Sequence, residues 1–252
     1  MLELFCCPLH DIDTPLDAAL LLRYHDFLNE SERERLAKFL REEPRNTFLA
    51  SRALLRSVLA EKLHCPPLQL QIEPDANDKP QLIAPQLNSP QRLHFNLSHC
   101  RGWVVLAVSD SGPVGVDIES THRNNNILGI AKRFFQADEY ALLAALPEAA
   151  RAELFCELWT LKEAMVKAAG LGIGRMLAAV GVGIHDGEIN WRLREDFSEV
   201  TKNPAALLYA IEPSFRLAVV SFQNENDSAL INYAVPLRER RDWILEPLAQ
   251  RR

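Results

Sequence analysis

The run Glu157-Leu158-Trp159-Thr160-Leu161-Lys162-Glu163-Ala164-Met165-Val166-Lys167 constrains this chain more than any other stretch. In a helix, Trp159, Glu163 and Lys167 fall at i, i+4 and i+8 and stack along one side, while Lys162 points elsewhere. About forty residues upstream, Val114-Gly115-Val116-Asp117-Ile118-Glu119 reads as an extended strand. Residues two apart on a strand share a face, so Asp117 and Glu119 project together and Val116 and Ile118 enter the core on the other side. If the fold brings strand and helix together, three carboxylates share one site. Two such charges ~4 Å apart repel by ~4 kcal/mol at an effective dielectric near 20. A divalent cation is the simplest remedy.

Bulk properties narrow the classes. A chain of 252 residues is long enough for one large or two ordinary domains. Its net charge of -6 argues against a general nucleic-acid or anionic-membrane binder, both of which need a basic face. No apolar run reaches membrane-spanning length, and Met1-Leu2-Glu3-Leu4-Phe5 carries an acid where a signal peptide wants positive charge. The expectation is a cytoplasmic protein. Cys6, Cys7, Cys65, Cys100 and Cys156 show no CxxC spacing and read as reduced, mostly buried thiols.

The order of elements suggests an internal repeat. A helix begins near Ser31, Pro44 interrupts it, and a further helix runs from about Thr47 to Leu63. Strands are expected at Leu68–Glu73, Leu93–His99, Trp103–Val108 and Val114–Glu119. The key helix runs from about Arg151 to Ala169, with stops at Gly170, Gly172 and Gly174. Strands follow over Ala179–Ile184, Asn190–Leu193, Ala206–Glu212 and Phe215–Phe222, and the tail Val235–Arg252 is basic and amphipathic. Shifting the first half by 106 positions places Leu55-Arg56 on Leu161-Lys162. A shift of 111 places Leu106-Ala107-Val108 on Leu217-Ala218-Val219. Two similar α+β units in tandem explain this, with a boundary near Ser111-Gly112-Pro113, giving halves 1–112 and 113–252. Asp117, Glu119, Glu163 and Lys167 then lie in the second half, Lys79, Ser98 and His99 in the first, and the site lies in the cleft between them.

Oxygen-only donors suit a hard ion such as Mg²⁺, which keeps waters and takes further ligands from substrate phosphates. Beside phosphate, Lys167 would neutralise a leaving group and Lys79, Arg45 and Arg52 would hold more distant oxygens, with Ser98 and His99 donating hydrogen bonds. The bland reading is a solvated strand end and an i, i+4 surface pair worth ~0.3 kcal/mol. Ser98-His99 lacks the Gly-x-Ser-x-Gly elbow, and neighbours on a strand face opposite ways.

Together, Phe95-Asn96-Leu97-Ser98-His99, Val114 to Glu119, Arg133-Phe134-Phe135 and Leu158 to Lys167, in this order and spacing, resemble the 4'-phosphopantetheinyl transferases. The similarity is to the long, monomeric class typified by the surfactin-synthetase activator and covers roughly Asn46 to Phe222. It implies two similar α+β halves forming a pseudo-twofold monomer. It also implies transfer of the phosphopantetheine arm of coenzyme A to a serine of an apo acyl or peptidyl carrier protein, releasing adenosine 3',5'-bisphosphate. Carried over by position, Asp117, Glu119 and Glu163 would hold Mg²⁺. Glu163, or a metal-bound water, would take the serine proton. Lys167 would stabilise the departing phosphate, and Lys79, Ser98 and His99 would contact the coenzyme. Asp78-Lys79-Pro80 departs from the family's Gly-Lys-Pro, and the 3'-phosphate arginine has two candidates, Arg45 and Arg52. The alternative is a non-catalytic carrier-protein or nucleotide-binding module of the same fold. Retention of three acids and Lys167 speaks against it, because a binder has no need of a base.

Overall fold

The computed structural model describes residues 1–11, 14–15, 18–75, 79–83, 93–122, 126–171, 176–194, 204–211, 214–222, 229–232 and 245–251. The elements are β1 (Leu2–Pro8), β2 (His10–Asp11), β3 (Thr14–Pro15), α1 (Ala18–Tyr24), α2 (Glu30–Ala37), α3 (Glu42–Lys62), β4 (Ile72–Pro74), β5 (Pro80–Leu82), β6 (His94–Cys100), β7 (Trp103–Ser109) and β8 (Val114–Ser120). They continue with α4 (Ile127–Phe134), α5 (Ala137–Ala145), α6 (Glu148–Ala168), β9 (Val180–His185), β10 (Glu188–Leu193), β11 (Ala205–Ile211), β12 (Phe215–Ser221), β13 (Ala229–Asn232) and β14 (Leu245–Arg251). Two main sheets result, ordered β13-β1-β7-β6 and β8-β12-β11-β14-β10-β9.

Alternation along the strands explains how these sheets pack. Leu4, Cys6, Val105 and Ala107 of the first sheet meet Val116, Ile118, Leu217 and Val219 of the second in a shared central core. The opposite faces are covered by helices. Leu54, Leu55, Val58 and Leu59 of α3 lie in one core with Val104 and Leu106. Leu161, Ala164, Met165 and Ala168 of α6 lie in another with Ala218 and Val220. The α+β class and its two-part repetition are therefore visible in the packing.

The repeat extends to detail. Helices α3 and α6 have 21 residues each and stand 106 positions apart. Each is preceded by a helix whose first turn a glutamate closes. Glu32 accepts from Asn29 N at 3.0 Å, and Glu139 accepts from Gln136 N at 2.7 Å. The same carboxylates then reach a fully buried cation of the long helix, Arg56 at 2.8 Å and Lys162 at 2.5 Å. Burial lowers the Lys162 pKa, and the Glu139 carboxylate opposes that shift.

Some sequence expectations change. Between β7 and β12 the repeat is offset by 112, not 111, because Leu106 faces α3 whereas Leu217 faces the central core, and a one-residue slip reverses every side chain. Pro44 does not end a helix; it sits in the first turn of α3, where no intrahelical partner for its missing N–H is needed. Both long helices begin earlier than periodicity indicated. Part of the expected Leu68–Glu73 strand is a 3-10 turn over Pro67–Gln69. Gly170 adopts φ 69° and stops α6 as expected. The end of the tail forms β14 within the second sheet, pairing with β11 and β10. Gly172, Gly174, Asp78 and residues 235–244 lie outside the described residues. Among the described residues no helix is long and apolar enough to cross a membrane, and the five cysteines are free thiols.

Candidate active site

The site forms where β8 is pressed against α6. Gly115, Asp117 and Glu119 are on the face of β8 turned to that helix. A Cβ on Gly115 would lie 2.0 Å from the Ala164 carbonyl oxygen and 2.4 Å from the Ala168 nitrogen. Only glycine allows this approach, and it brings Asp117 within reach of Lys167, one turn after Glu163. At the other end, Cys156 Sγ donates to the Ser120 carbonyl at 3.2 Å.

Strand β6 closes the site from the first half. Asn96, buried, accepts the Val116 N–H at 2.8 Å through its side chain and joins the two sheets where no strand ladder does. Two residues on, Ser98 Oγ donates to Asp117 Oδ1 at 2.8 Å. The Lys167 ammonium lies 2.6 Å from the same oxygen, 3.2 Å from Ser98 Oγ and 3.3 Å from Glu163 Oε2. Lys79, also from the first half, donates from Nζ to the Lys167 carbonyl at 3.0 Å. Ser98, His99, Asp117, Glu119, Glu163 and Lys167 all line one cleft of about 300 Å³.

A larger pocket of about 590 Å³ adjoins it, sharing Leu97 and His99. Arg35, Arg41, Arg52 and Arg101 line it with Phe39, Phe48 and Pro80. Arg35 and Arg52 both lie against the Phe48 ring, at 5.4 and 5.2 Å from its centroid. Arg45 is exposed and does not line this pocket. Sequence reasoning missed Arg35, Arg41 and Arg101, because isolated arginines before, at and far beyond the start of α3 show no spacing that would group them. It also missed Asn96, whose partner is a backbone group in another strand.

The cleft sets unusual proton affinities. Burial pulls the Lys167 pKa down, but the Asp117 and Glu163 carboxylates more than offset it, and the net shift is upward. Lys79 is lowered by desolvation, with Asp75 opposing and Lys167 adding to the fall. His99 is lowered by desolvation and by the Lys167 ammonium, with Asp117 opposing.

The donors fit a hard divalent ion of the loosely held kind. Asp117 Oδ2 is buried without a hydrogen-bond partner among the described residues, although Oδ1 of the same group is doubly bonded. Such an orphan oxygen costs free energy unless a cation or donor meets it. The acids do not form a closed cage: among the described residues no three His, Cys, Asp or Glu side chains cluster tightly enough to hold a metal by themselves. Mg²⁺ does not require one, since it binds through one or two carboxylates, waters and substrate phosphates.

Comparison with known proteins gives the same direction. Residues 113–220 match the sequence model described as 4'-phosphopantetheinyl transferase superfamily, and residues 14–111 match 4'-phosphopantetheinyl transferase, N-terminal. The 4'-phosphopantetheinyl transferase Sfp of Bacillus subtilis is 30% identical over 226 residues, 88% of this chain and 95% of that one. The 4'-phosphopantetheinyl transferase psf-1 of Bacillus pumilus is 33% identical over 84% of this chain and 85% of its own. A Synechocystis sp. relative is 36% identical over 159 residues, and the match spans 63% of that protein's length.

Proposed function

From the premise that the chain belongs to the 4'-phosphopantetheinyl transferase family, we propose that it moves the phosphopantetheine arm of coenzyme A to a serine of an apo acyl or peptidyl carrier protein, with Mg²⁺. The observation that carries this reading is the convergence of Ser98 and His99 from one half with Asp117, Glu119, Glu163 and Lys167 from the other on a single cleft.

The carrier serine oxygen attacks the phosphorus that bears the arm, and the bond from that phosphorus to the bridging oxygen breaks. The serine proton passes to Glu163, and adenosine 3',5'-bisphosphate leaves with the bond's electron pair. Asp117, Glu119 and Glu163 would hold Mg²⁺, which supplies charge neutralisation at the pyrophosphate. Lys167, kept protonated by its two carboxylate neighbours, faces the departing phosphate and stabilises its growing charge. His99 and Ser98 orient the pyrophosphate at the junction of the two pockets. The arginine-lined pocket takes the nucleotide end, with Arg52, rather than the exposed Arg45, toward its 3'-phosphate. We further propose halves 1–112 and 113–252 as the folding units, a monomeric state and a cytoplasmic location, where coenzyme A, carriers and free thiols coexist.

The test is incubation with coenzyme A, Mg²⁺ and several apo carriers, followed by intact-mass analysis. A gain of one phosphopantetheine arm on the carrier serine is expected. No gain on fatty-acid, polyketide and nonribosomal carriers alike would favour a non-catalytic binding module.

A further inference from the structure

We propose that Arg216 is a positioning residue for the metal-side acid Glu119, acting as a strut between strand β12, the ladder partner of β8, and helix α6; the proposal rests on the metal reading above. Arg216 is directly opposite Glu119 in the antiparallel β8/β12 ladder, just as Ala218 is opposite Asp117 and Val220 opposite Gly115. Directly opposed residues on one face hold their Cβ atoms ~5 Å apart. That face is the one turned to α6, since Ala218 and Val220 pack in the same core as Ala164 and Ala168.

Arg216 is almost wholly buried, at 7% exposure, and its guanidinium is tied to α6. Nε donates to Glu157 Oε1 at 3.1 Å, and a terminal nitrogen lies 3.8 Å from Glu153 Oε2. Glu157 precedes Glu163 by six residues on the same helix. One buried side chain with a planar, always charged head therefore connects the strand neighbour of Glu119 to the helix that carries Glu163. The Cys156 bond to Ser120 fixes the neighbouring backbone, and Gly115 fixes the other end of β8. Arg216 sets the remaining distance, the one between the two outer carboxylates. Removing groups that orient metal ligands typically costs ten- to a hundredfold in metal affinity.

A purely electrostatic bystander would behave in the opposite way, because deleting a positive charge beside a cation site tightens cation binding. The test is Mn²⁺ binding, measured by electron paramagnetic resonance with coenzyme A present and no carrier, for the wild type and for Arg216→Met and Arg216→Lys. The account expects Arg216→Met to bind Mn²⁺ about tenfold or more weakly, with Arg216→Lys closer to the wild type. Equal or tighter binding by a folded Arg216→Met protein overturns the proposal. Should Arg216→Met fail to fold, Glu157→Gln carries the test: it weakens the tether while keeping the arginine, and unchanged Mn²⁺ affinity again overturns it. If the wild type itself binds no Mn²⁺ under these conditions, the metal reading fails before the strut does.

Discussion

Asp117 and Lys167 meet at 2.6 Å in the cleft between the halves, and each is the other's principal charge partner there. Asp117 is 3% exposed, so its charge has little water to fall back on. Ser98 donates to the same oxygen.

Lys167→Met leaves that carboxylate with one hydrogen bond where it had two. Breaking a buried pair by deleting one partner costs about 3–5 kcal/mol, which denaturant unfolding would read as a lower midpoint. The Lys167 pKa is raised in the folded state, so its contribution is complete below the ordinary lysine value of about 10.4 and is lost as pH rises through the folded value. The gap in melting temperature between wild type and variant should therefore narrow in strongly alkaline buffer. A constant gap would mean that the charge of Lys167 is not what stabilises the cleft.

Gly115→Ala drives a methyl group into the α6 backbone at Ala164 and Ala168. Overpacking usually costs about 1–3 kcal/mol, and a clash with backbone belongs at or above the upper end. Activity should fall with stability, since the same contact sets the Asp117 to Lys167 distance. A variant as stable and active as wild type would show that β8 and α6 have room to separate.

The paired caps make a matched experiment. Glu139→Gln and Glu32→Gln each weaken a buried ion pair at equivalent positions of the two halves. Double-mutant cycles with Lys162→Met and Arg56→Met should each show coupling of about 0.5–3 kcal/mol. Coupling in one half alone would show that the repeat is geometric without being energetic.

Desolvation, with the Lys167 ammonium adding to it, lowers the His99 pKa from its ordinary value. In the unfolded chain the ring takes up its proton near pH 6.5, so this group's linkage erodes stability as pH falls below that point. NMR titration of the ring should give a midpoint below 6.5 in the wild type and a higher one in Lys167→Met. A wild-type midpoint at or above 6.5 would contradict the described environment.

Much of this was legible in the sequence, for identifiable reasons. The i, i+4, i+8 spacing on α6 and the alternation on β8 report side-chain direction, which is a local property, so Glu163, Lys167, Asp117 and Glu119 were readable as faces. Alternation alone would send Ser98 and His99 to opposite faces, yet both line the smaller cleft, Ser98 bonded to Asp117 and His99 at the junction with the larger pocket. Long-range geometry was not. The role of Gly115 depends on α6 being the neighbour, that of Asn96 on the seam with β8, and that of Arg216 on a strand register that hairpin-distant sequence does not encode. The four arginines of the larger pocket come from segments separated by up to 66 positions. The repeat is visible as a shift, but the match of β7 to β12 needs one residue more than identity suggests, because facing rather than identity decides the alignment.

The most direct test of the central claim is the single-turnover rate of arm transfer by Glu163→Gln at saturating coenzyme A and Mg²⁺, with coenzyme A affinity and unfolding measured alongside. Loss of a positioned proton acceptor is worth about a hundred- to ten-thousandfold. The account predicts a fall of that size in rate, with the fold retained and coenzyme A still bound. A rate within twofold of wild type would contradict this and remove Glu163 from the chemistry as the acceptor of the serine proton.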